Sequence, residues 1–397
     1  MLIRAFKRVR KMIPYGKQDI NQDDIDAVTR ILQSDYLTQG PAGPAFESAI
    51  KEYCNASFAV SVNSATSALH ISCLALGVGP DDYVWTSPVT FVASANCALY
   101  CGAKIDFADI DKDTYNLSVE ALERKLQEAE QAGTLPKVVI PVHLSGQSCD
   151  MESIYALSKK YKFKIIEDAS HAIGAKYQGE AIGGGQFSDI TVFSFHPVKI
   201  ITTAEGGVAV TNDPVLAESL FLLRSHGVTR DQVLMENVSD GPWYYEQVSL
   251  GFNYRMTDLQ AALGLSQMQR LDGFVNKRHE IAERYYQLLD GLPVISPFQS
   301  PDSFSSFHLY IIRLKLDEIK LSHKAVFEKL RSRGIGVNLH YIPVHLQPYY
   351  QKKGFKDVSY PIAEKYYEEA ISLPLHPSLS AVEVEKVVSV LRDILWE

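Results

Sequence analysis

From residue 58 onward, apolar positions recur in blocks whose period switches between two and about 3.6. "FAVSVNS" predicts a strand, "TSALHISCLALGVG" a helix, "DYVWTSP" a strand and "FVASANCALYCG" a helix. "AKIDFADI" is again a strand, "SVEALERKLQEAEQAG" an exposed amphipathic helix and "KVVIPVHL" a buried strand. "MESIYALSKKYK" and "FKIIEDAS" continue the alternation. Strands separated by helices of this length imply right-handed crossovers and a largely parallel sheet covered on both faces, an α/β fold. After residue 187 the rhythm changes: "DITVFSF" and "GGVAVTN" are strands with only a loop between them, so an antiparallel strand is expected to join the sheet. "DPVLAESLFLLRSHG" is a helix with proline in its first turn and glycine past its end. The stretch from "VTRDQ" to "NYRM" lacks periodicity and is long for a structureless loop. "TDLQAALGLSQMQRLDGFVNKRHEIAERYYQLL" predicts one long helix bridging to a second, smaller α+β unit. In that unit "FHLYIIRL" and "GVNLHYIPV" are strands, and "SHKAVFEKLRSRG" and "SAVEVEKVVSVLRDIL" are helices. The expected division is 1–265, a large domain with an N-terminal arm, and 266–397, a small C-terminal domain.

The balance of charge narrows the partners. A net charge of −8 and a pI near 5.8 oppose electrostatic binding of nucleic acid, which needs a basic surface. Five scattered cysteines without paired spacing suggest reduced thiols and a cytoplasmic setting. The opening "MLIRAFKRVRKM" carries five basic residues, but the polar "IPYGKQDINQDD" follows, so it reads as a solvated basic arm. No apolar run approaches the ~20 residues of a membrane helix, so no membrane insertion is expected. Cys97 and Cys101 lie four apart, but no further ligand pair completes a metal site.

In open α/β sheets ligands bind beyond the carboxyl ends of the parallel strands, and three polar clusters fall at such ends. "NSATS" places Ser64, Ala65 and Thr66 before a helix expected to begin near Ser67, where free backbone N–H groups suit an anion, although small hydroxyl residues there also serve as plain caps. "IIEDASHAIGA" places Asp168 after an apolar strand, with His171 three residues on. "SFHPVKIITTAEGG" sets Lys199 between Val198 and Ile200, ahead of Gly206 and Gly207. Desolvation favours a neutral amine there, and a neutral lysine amine is a nucleophile for a carbonyl. Together an anion cradle, a carboxylate for a ring cation and a Schiff-base lysine are what pyridoxal 5'-phosphate needs; Phe91 would cover the ring face.

At these residues the sequence resembles the DegT/DnrJ/EryC1/StrS family of sugar-nucleotide aminotransferases, through "YLTQGP", "NSATSALH", "PVTFVASANC", "IPVHLSGQ", "IIEDASHAIGA", "SFHPVKIITTAEGG", "LRSHG", "NYRMTDLQAALG" and "HYIPVHLQPYY". The resemblance implies a fold-type-I pyridoxal-phosphate enzyme, a homodimer with shared active sites. Lys199 would carry the cofactor and move protons, and Asp168 would face the pyridine nitrogen. His171 stands where the family often has glutamine near the phenolic oxygen. Ala65 and Thr66 stand where Gly-Thr is common at the phosphate, Ala65 departing from that glycine, with Ser194 completing the cup, Asn253 reaching in from the partner subunit and Phe91 over the ring. Within the family, "QSDYLTQGP", "NSATSALH" and "HYIPVHLQPYY" look most like members acting in pseudaminic acid biosynthesis. That likeness implies amino transfer from L-glutamate to the C4 ketone of a UDP-linked 4-keto-6-deoxy-N-acetyl hexose. Another nucleotide-sugar 4-aminotransferase acting on a D-configured or differently substituted keto-sugar is the alternative. The matching substrate contacts would be Tyr15, Asp35, Tyr36, Leu37, Thr38, His340, Tyr341, Ile342 and Pro343.

Dehydratase relatives carry histidine in place of the lysine; here Lys199 fills that position with His196 nearby, which favours transamination. A regulator retaining the fold would need a basic DNA-reading helix or a lost catalytic group, and neither is visible. A Rossmann oxidoreductase would place G-x-G-x-x-G between the first strand and helix, where "NSATS" stands instead.

Overall fold

Short apolar runs bounded by turn residues become the strands of a seven-stranded sheet in the computed structural model, which describes residues 12–397. These are β1 (Phe58–Val62), β2 (Tyr83–Thr86), β3 (Lys104–Phe107), β4 (Val138–Ile140), β5 (Lys164–Asp168), β6 (Ile190–Ser194) and β7 (Gly207–Thr211). Their order is β1-β7-β6-β5-β4-β2-β3. β7 runs antiparallel to both neighbours and the other pairs are parallel, as the changed rhythm after residue 187 suggested. Most of the basic arm, residues 1–11, lies outside the described residues.

Helices cover both faces because successive strand residues point to opposite sides. Along β6, Phe193 joins a core with Phe46 and Ile154, whereas Val192 joins a second core with Leu69 and Ala95. The first core is closed by α1 (Gln22–Leu32), α2 (Ala42–Cys54), α5 (Val119–Ala132), α6 (Met151–Tyr161) and α8 (Asp258–Met268), the second by α3 (Ala65–Ala75), α4 (Ala93–Tyr100) and α7 (Pro214–Arg224). Side-chain oxygens of Ser64, Ser118, Asp150 and Asp213 cap α3, α5, α6 and α7, satisfying backbone donors that a first turn leaves unpaired.

The long helical pattern after residue 257 is two helices. α8 ends at Met268, and α9 runs Leu271–Leu289. Arg270 sits between them at φ −110°, its guanidinium drawn to Asp19 at 2.7 Å and to the buried Asp24 at 2.6 Å. Gln267 reaches the same Asp24 at 2.7 Å. Local propensity favours continuity, and these long-range bonds break it.

Beyond α9 a three-stranded antiparallel sheet of β8 (Val294–Ile295), β9 (Tyr310–Leu314) and β10 (Ala370–Leu373) packs with α10 (His323–Ser332) and the helix Ala381–Leu395 around Tyr285, Ile312 and Val387. The expected strand over 336–344 is not formed. Asn338 alone bridges to Ser372, and the side chain of His340 takes the Ser372 hydroxyl at 2.8 Å. The aperiodic stretch 228–256 holds one short hairpin, Val228–Thr229 against Glu246–Gln247.

Asp258, only 1% exposed, fastens the "YLTQGP" loop to α8 by accepting the N–H groups of Gly40 and Ala42, each at 2.9 Å. A Cβ on Gly40 would lie 2.4 Å from that of Tyr36 and 2.8 Å from Asp258 Oδ1, so glycine is required for this approach. Asp258→Ala strands a buried N–H and should lower unfolding stability by about 2–4 kcal/mol, measured by urea denaturation.

Candidate active site

The carboxyl ends of β5 and β6 and the amino end of α3 face one cleft. Asp168, the last residue of β5, is 4% exposed. Its Oδ2 accepts the Ser94 hydroxyl at 2.6 Å and its Oδ1 the Ser170 N–H at 3.1 Å, so the carboxylate is held from two sides. Ser94 sits in the first turn of α4, where the helix supplies orientation as well as a donor. Ser94→Ala removes one hydrogen bond to a carboxylate, worth about 1.5–3 kcal/mol. Turnover should fall about 10- to 100-fold in steady-state assays with little change in fold, and Ser94→Thr should restore much of it.

Lys199 lies on the loop between β6 and β7, and its N–H bonds the carbonyl of His196 at 2.9 Å. Burial lowers its ammonium to about 8, against a smaller upward pull from Asp168. Among the described residues the amine has neither an ion-pair nor a hydrogen-bond partner. Three histidines feel its charge. Desolvation first, then the Lys199 ammonium, holds His171 well below the usual imidazole range and His340 at about 3. His308 is likewise depressed by burial, then by His171 and Lys199. All three therefore work as neutral hydrogen-bonding groups.

His171 Nδ1 accepts the Ser145 N–H at 3.3 Å, so Nε2 carries the proton and donates to the Tyr341 hydroxyl at 3.1 Å. The Tyr341 hydroxyl proton has no acceptor among the described residues. Burial and the nearby Asp168 charge push its phenol up, so it stays protonated. Phe91, 58% exposed, lies 6.2 Å from the Tyr341 ring. The His308 ring is 4.4 Å from that of His171, and its buried Nδ1 has no partner among the described residues.

At the other end of the cleft α3 starts at Ala65, two residues earlier than expected, because Ser64 caps it through the Ser67 N–H. Ala65 and Thr66 keep first-turn N–H groups without intrahelical acceptors. β7 approaches so closely that a Cβ on Gly207 would lie 2.5 Å from Ala65 N. Ser194, at the end of β6, pairs with that same Gly207.

Of the remaining expected residues, Tyr15 packs 5.4 Å from the His340 ring, and Gly16 lies against Val198 beside Lys199. Pro343 is buried and Ile342 exposed at 43%. Asp35, Tyr36, Leu37 and Thr38 are exposed and tied to the start of α8, through the Leu37 carbonyl and a Thr38–Thr257 bridge, rather than to the Lys199 cluster. Asn253 is exposed, its backbone paired with Ser225.

Ser94, Ser145 and His308 escaped the sequence reading. Ser94 was within reach, since it opens a helix after a strand end. Nothing local marks His308, which arrives from the small sheet's side. The donors present fit pyridoxal phosphate: a desolvated unpaired amine, a fixed carboxylate, and an amide cradle that Gly207 keeps open.

Residues 18–392 match the DegT/DnrJ/EryC1/StrS aminotransferase family. The chain is 39% identical over 386 residues to the UDP-4-amino-4,6-dideoxy-N-acetyl-beta-L-altrosamine transaminase of Campylobacter jejuni, covering 97% of this chain and 98% of that one. Among solved structures it resembles Helicobacter pylori PseC, an aminotransferase involved in the biosynthesis of pseudoaminic acid, at TM-score 0.88 and 33% identity over 97% of this chain and all of that one. It is also similar in fold to the PLP-form of the putative sugar aminotransferase Spr1654 from Streptococcus pneumoniae, at TM-score 0.87 and 31% identity, covering 97% and 99% of the two chains.

Proposed function

Because the chain belongs to the DegT/DnrJ/EryC1/StrS aminotransferase family, we propose that it transfers an amino group to the C4 ketone of a UDP-linked 4-keto-6-deoxy-N-acetyl hexose, with L-glutamate as donor. It is a pyridoxal-phosphate-dependent sugar aminotransferase. When bound, the cofactor supplies an aldehyde and an electron-accepting ring. The observation that carries the reading is the desolvated, unpartnered Lys199 amine beside the doubly held Asp168.

Asp168 would hold the cofactor's ring nitrogen, its charge favouring a proton there. Lys199 would hold the cofactor's aldehyde and would serve as the base for the substrate's proton, a role suited to an amine that burial brings down to about 8. Ala65 and Thr66 N–H groups, the Thr66 and Ser194 hydroxyls and Asn253 of the partner subunit would hold the phosphate, and Phe91 would cover the ring. His171 orients Tyr341, whose hydroxyl would donate to the cofactor. Tyr15, His340 and Pro343 would line the sugar's approach. The shared site makes the working unit a homodimer, and we place it in the cytoplasm; no helix among the described residues is long and apolar enough to cross a membrane. A division at 265/266 is supported by the two separate sheets, although the first turns of α9 still face the large core.

The test is a spectrum of the holoenzyme with L-glutamate alone, followed by UDP-keto-sugar and product mass. Loss of the visible absorbance and its return on adding the keto-sugar are expected. An unchanged spectrum would remove glutamate as donor, and no aminated product from any keto-sugar would remove the reaction.

A further inference from the structure

Behind the cleft, the turn after β4 is held in a shape that its own residues do not favour. Ser145 sits at φ 62° and Gly146 at φ 98°, in the left-handed region that a serine keeps only where its surroundings impose it. The front of this turn bonds His171 and the segment that delivers His308. The Ser145 N–H donates to His171 Nδ1 at 3.3 Å, the Ser145 carbonyl accepts the His308 N–H at 2.7 Å, and the Gly146 carbonyl accepts the Ser306 N–H at 3.1 Å. The rear is closed by Asn116, a 2% exposed residue on the connection between β3 and α5. Its Oδ1 accepts the Leu144 N–H at 2.9 Å, and its Nδ2 donates to the carbonyls of Gln147 and Ser148, each at 3.0 Å. One side-chain amide thus grips the chain on both sides of Ser145 and Gly146. Every side-chain bond that Asn116 makes among the described residues goes to this turn.

His143 secures the ends of the same turn. Its N–H meets the Asp168 carbonyl at 3.1 Å, its Nδ1 accepts the Cys149 N–H at 3.1 Å, and its Nε2 lies 2.7 Å from the buried Glu167 carboxylate. Replacing His143 would strand that carboxylate as well, whereas Asn116 serves the turn alone. What the turn controls is a single proton. While the Ser145 N–H occupies Nδ1 of His171, the ring keeps its proton on Nε2 and gives it to the Tyr341 hydroxyl. With the Ser145 amide drawn away, Nδ1 is free to take the proton. Nε2 then accepts from Tyr341, and the phenol turns its hydrogen back into the protein.

We propose, resting on the cofactor site argued above, that Asn116 is a positioning residue for it. By clamping the turn from Leu144 to Ser148, Asn116 keeps the Ser145 amide on His171 and so sets the direction in which the Tyr341 hydroxyl donates. Asn116 itself acts only through the backbone it holds, three bonds away from the phenol: Asn116 to the turn, Ser145 to His171, and His171 to Tyr341. Strain at Ser145 makes the clamp necessary, since a released turn has a more favourable backbone to relax into.

The test compares Asn116→Asp, which keeps the acceptor for Leu144 but offers no donor to the two carbonyls, with Asn116→Ser, which loses the reach. In the cofactor-free protein, hydrogen exchange read by mass on the peptide spanning 142–149 should quicken by about 10-fold in both. In the holoenzyme kcat should fall about 10-fold while KM for L-glutamate moves less than about twofold. A hydroxyl donated to the cofactor's oxygen favours that oxygen's ionised form, so the visible absorbance should titrate at a pH higher by about 0.5–1 in the variants. The deciding measurement is a double-mutant cycle with His171→Phe, whose ring has no nitrogen to receive the Ser145 amide. In that background Asn116→Ser should cost less than about twofold in kcat. Costs that multiply across the two sites, or quickened exchange with an unmoved absorbance titration, make Asn116 a structural clamp only and overturn the proposal. Unquickened exchange overturns the clamp itself. Asn116→Ser carries every measurement if the aspartate variant does not fold. A wild type that titrates as expected but aminates no keto-sugar removes the reaction proposed above and leaves the role of Asn116 standing; one with no visible absorbance overturns both.

Discussion

Lys199→Ala should lower turnover by more than about 10³-fold, since in the proposed mechanism one substitution removes both the nucleophile for the cofactor and the base for the proton. Borohydride treatment of the wild-type holoenzyme should mark the peptide containing Lys199, and the variant should show no marked peptide. The fold should survive, because the amine has no partner to lose among the described residues. The pH dependence has a definite sign. Burial depresses the Lys199 ammonium from 10.5 to about 8, so the unfolded chain binds that proton more tightly than the folded one. Unfolding stability of the cofactor-free wild type should therefore gain from this group as pH rises from below 8 toward 10.5. Below pH 8 the alanine variant should be no less stable than wild type in denaturant titrations. Reconstitution with pyridoxal phosphate should accelerate up to about pH 8 and then level, as the neutral amine becomes the major form. A rate indifferent to pH across that window would mean that another group receives the aldehyde.

Asp168→Asn should cost about 10²- to 10³-fold in turnover, the size seen when a preorganised electrostatic partner is removed from a site. The amide is nearly isosteric, and its oxygen and nitrogen can still bond the Ser170 N–H and the Ser94 hydroxyl, so the loss is one of charge. A second readout separates this from a structural fault. Asp168 pulls the Lys199 ammonium upward, so the variant should move the reconstitution midpoint below about 8 while thermal unfolding of the cofactor-free protein changes little. An unmoved midpoint, with a large fall in melting temperature, would assign the carboxylate a packing role instead.

Much of this molecule was legible before any coordinates. Alternating blocks of period two and 3.6 specify the large sheet, because each strand and helix buries its own side chains locally; even the antiparallel β7 announced itself through a crossover too short to hold a helix. The sequence also pointed to Asp168, at the end of an apolar strand, and to Lys199, between the apolar Val198 and Ile200. The failures share the opposite cause. The pattern after Thr257 reads as one helix until Asp19 and Asp24, some 250 residues earlier in the chain, claim Arg270 and Gln267. The segment from Gly336 to Val344 reads as a strand until its side chains are taken by Ser372 and His171.

By itself, then, the sequence determined the layers, the parallel sense of the large sheet and the chemical types gathered at its edge, since periodicity and turn chemistry act over a few residues. Tertiary structure alone decided that Ser94 would grip Asp168, that His171 would spend both nitrogens on Ser145 and Tyr341, and that His308 would arrive beside them. Those bonds join residues 26 to 170 positions apart along the chain, and only the packed core sets such distances.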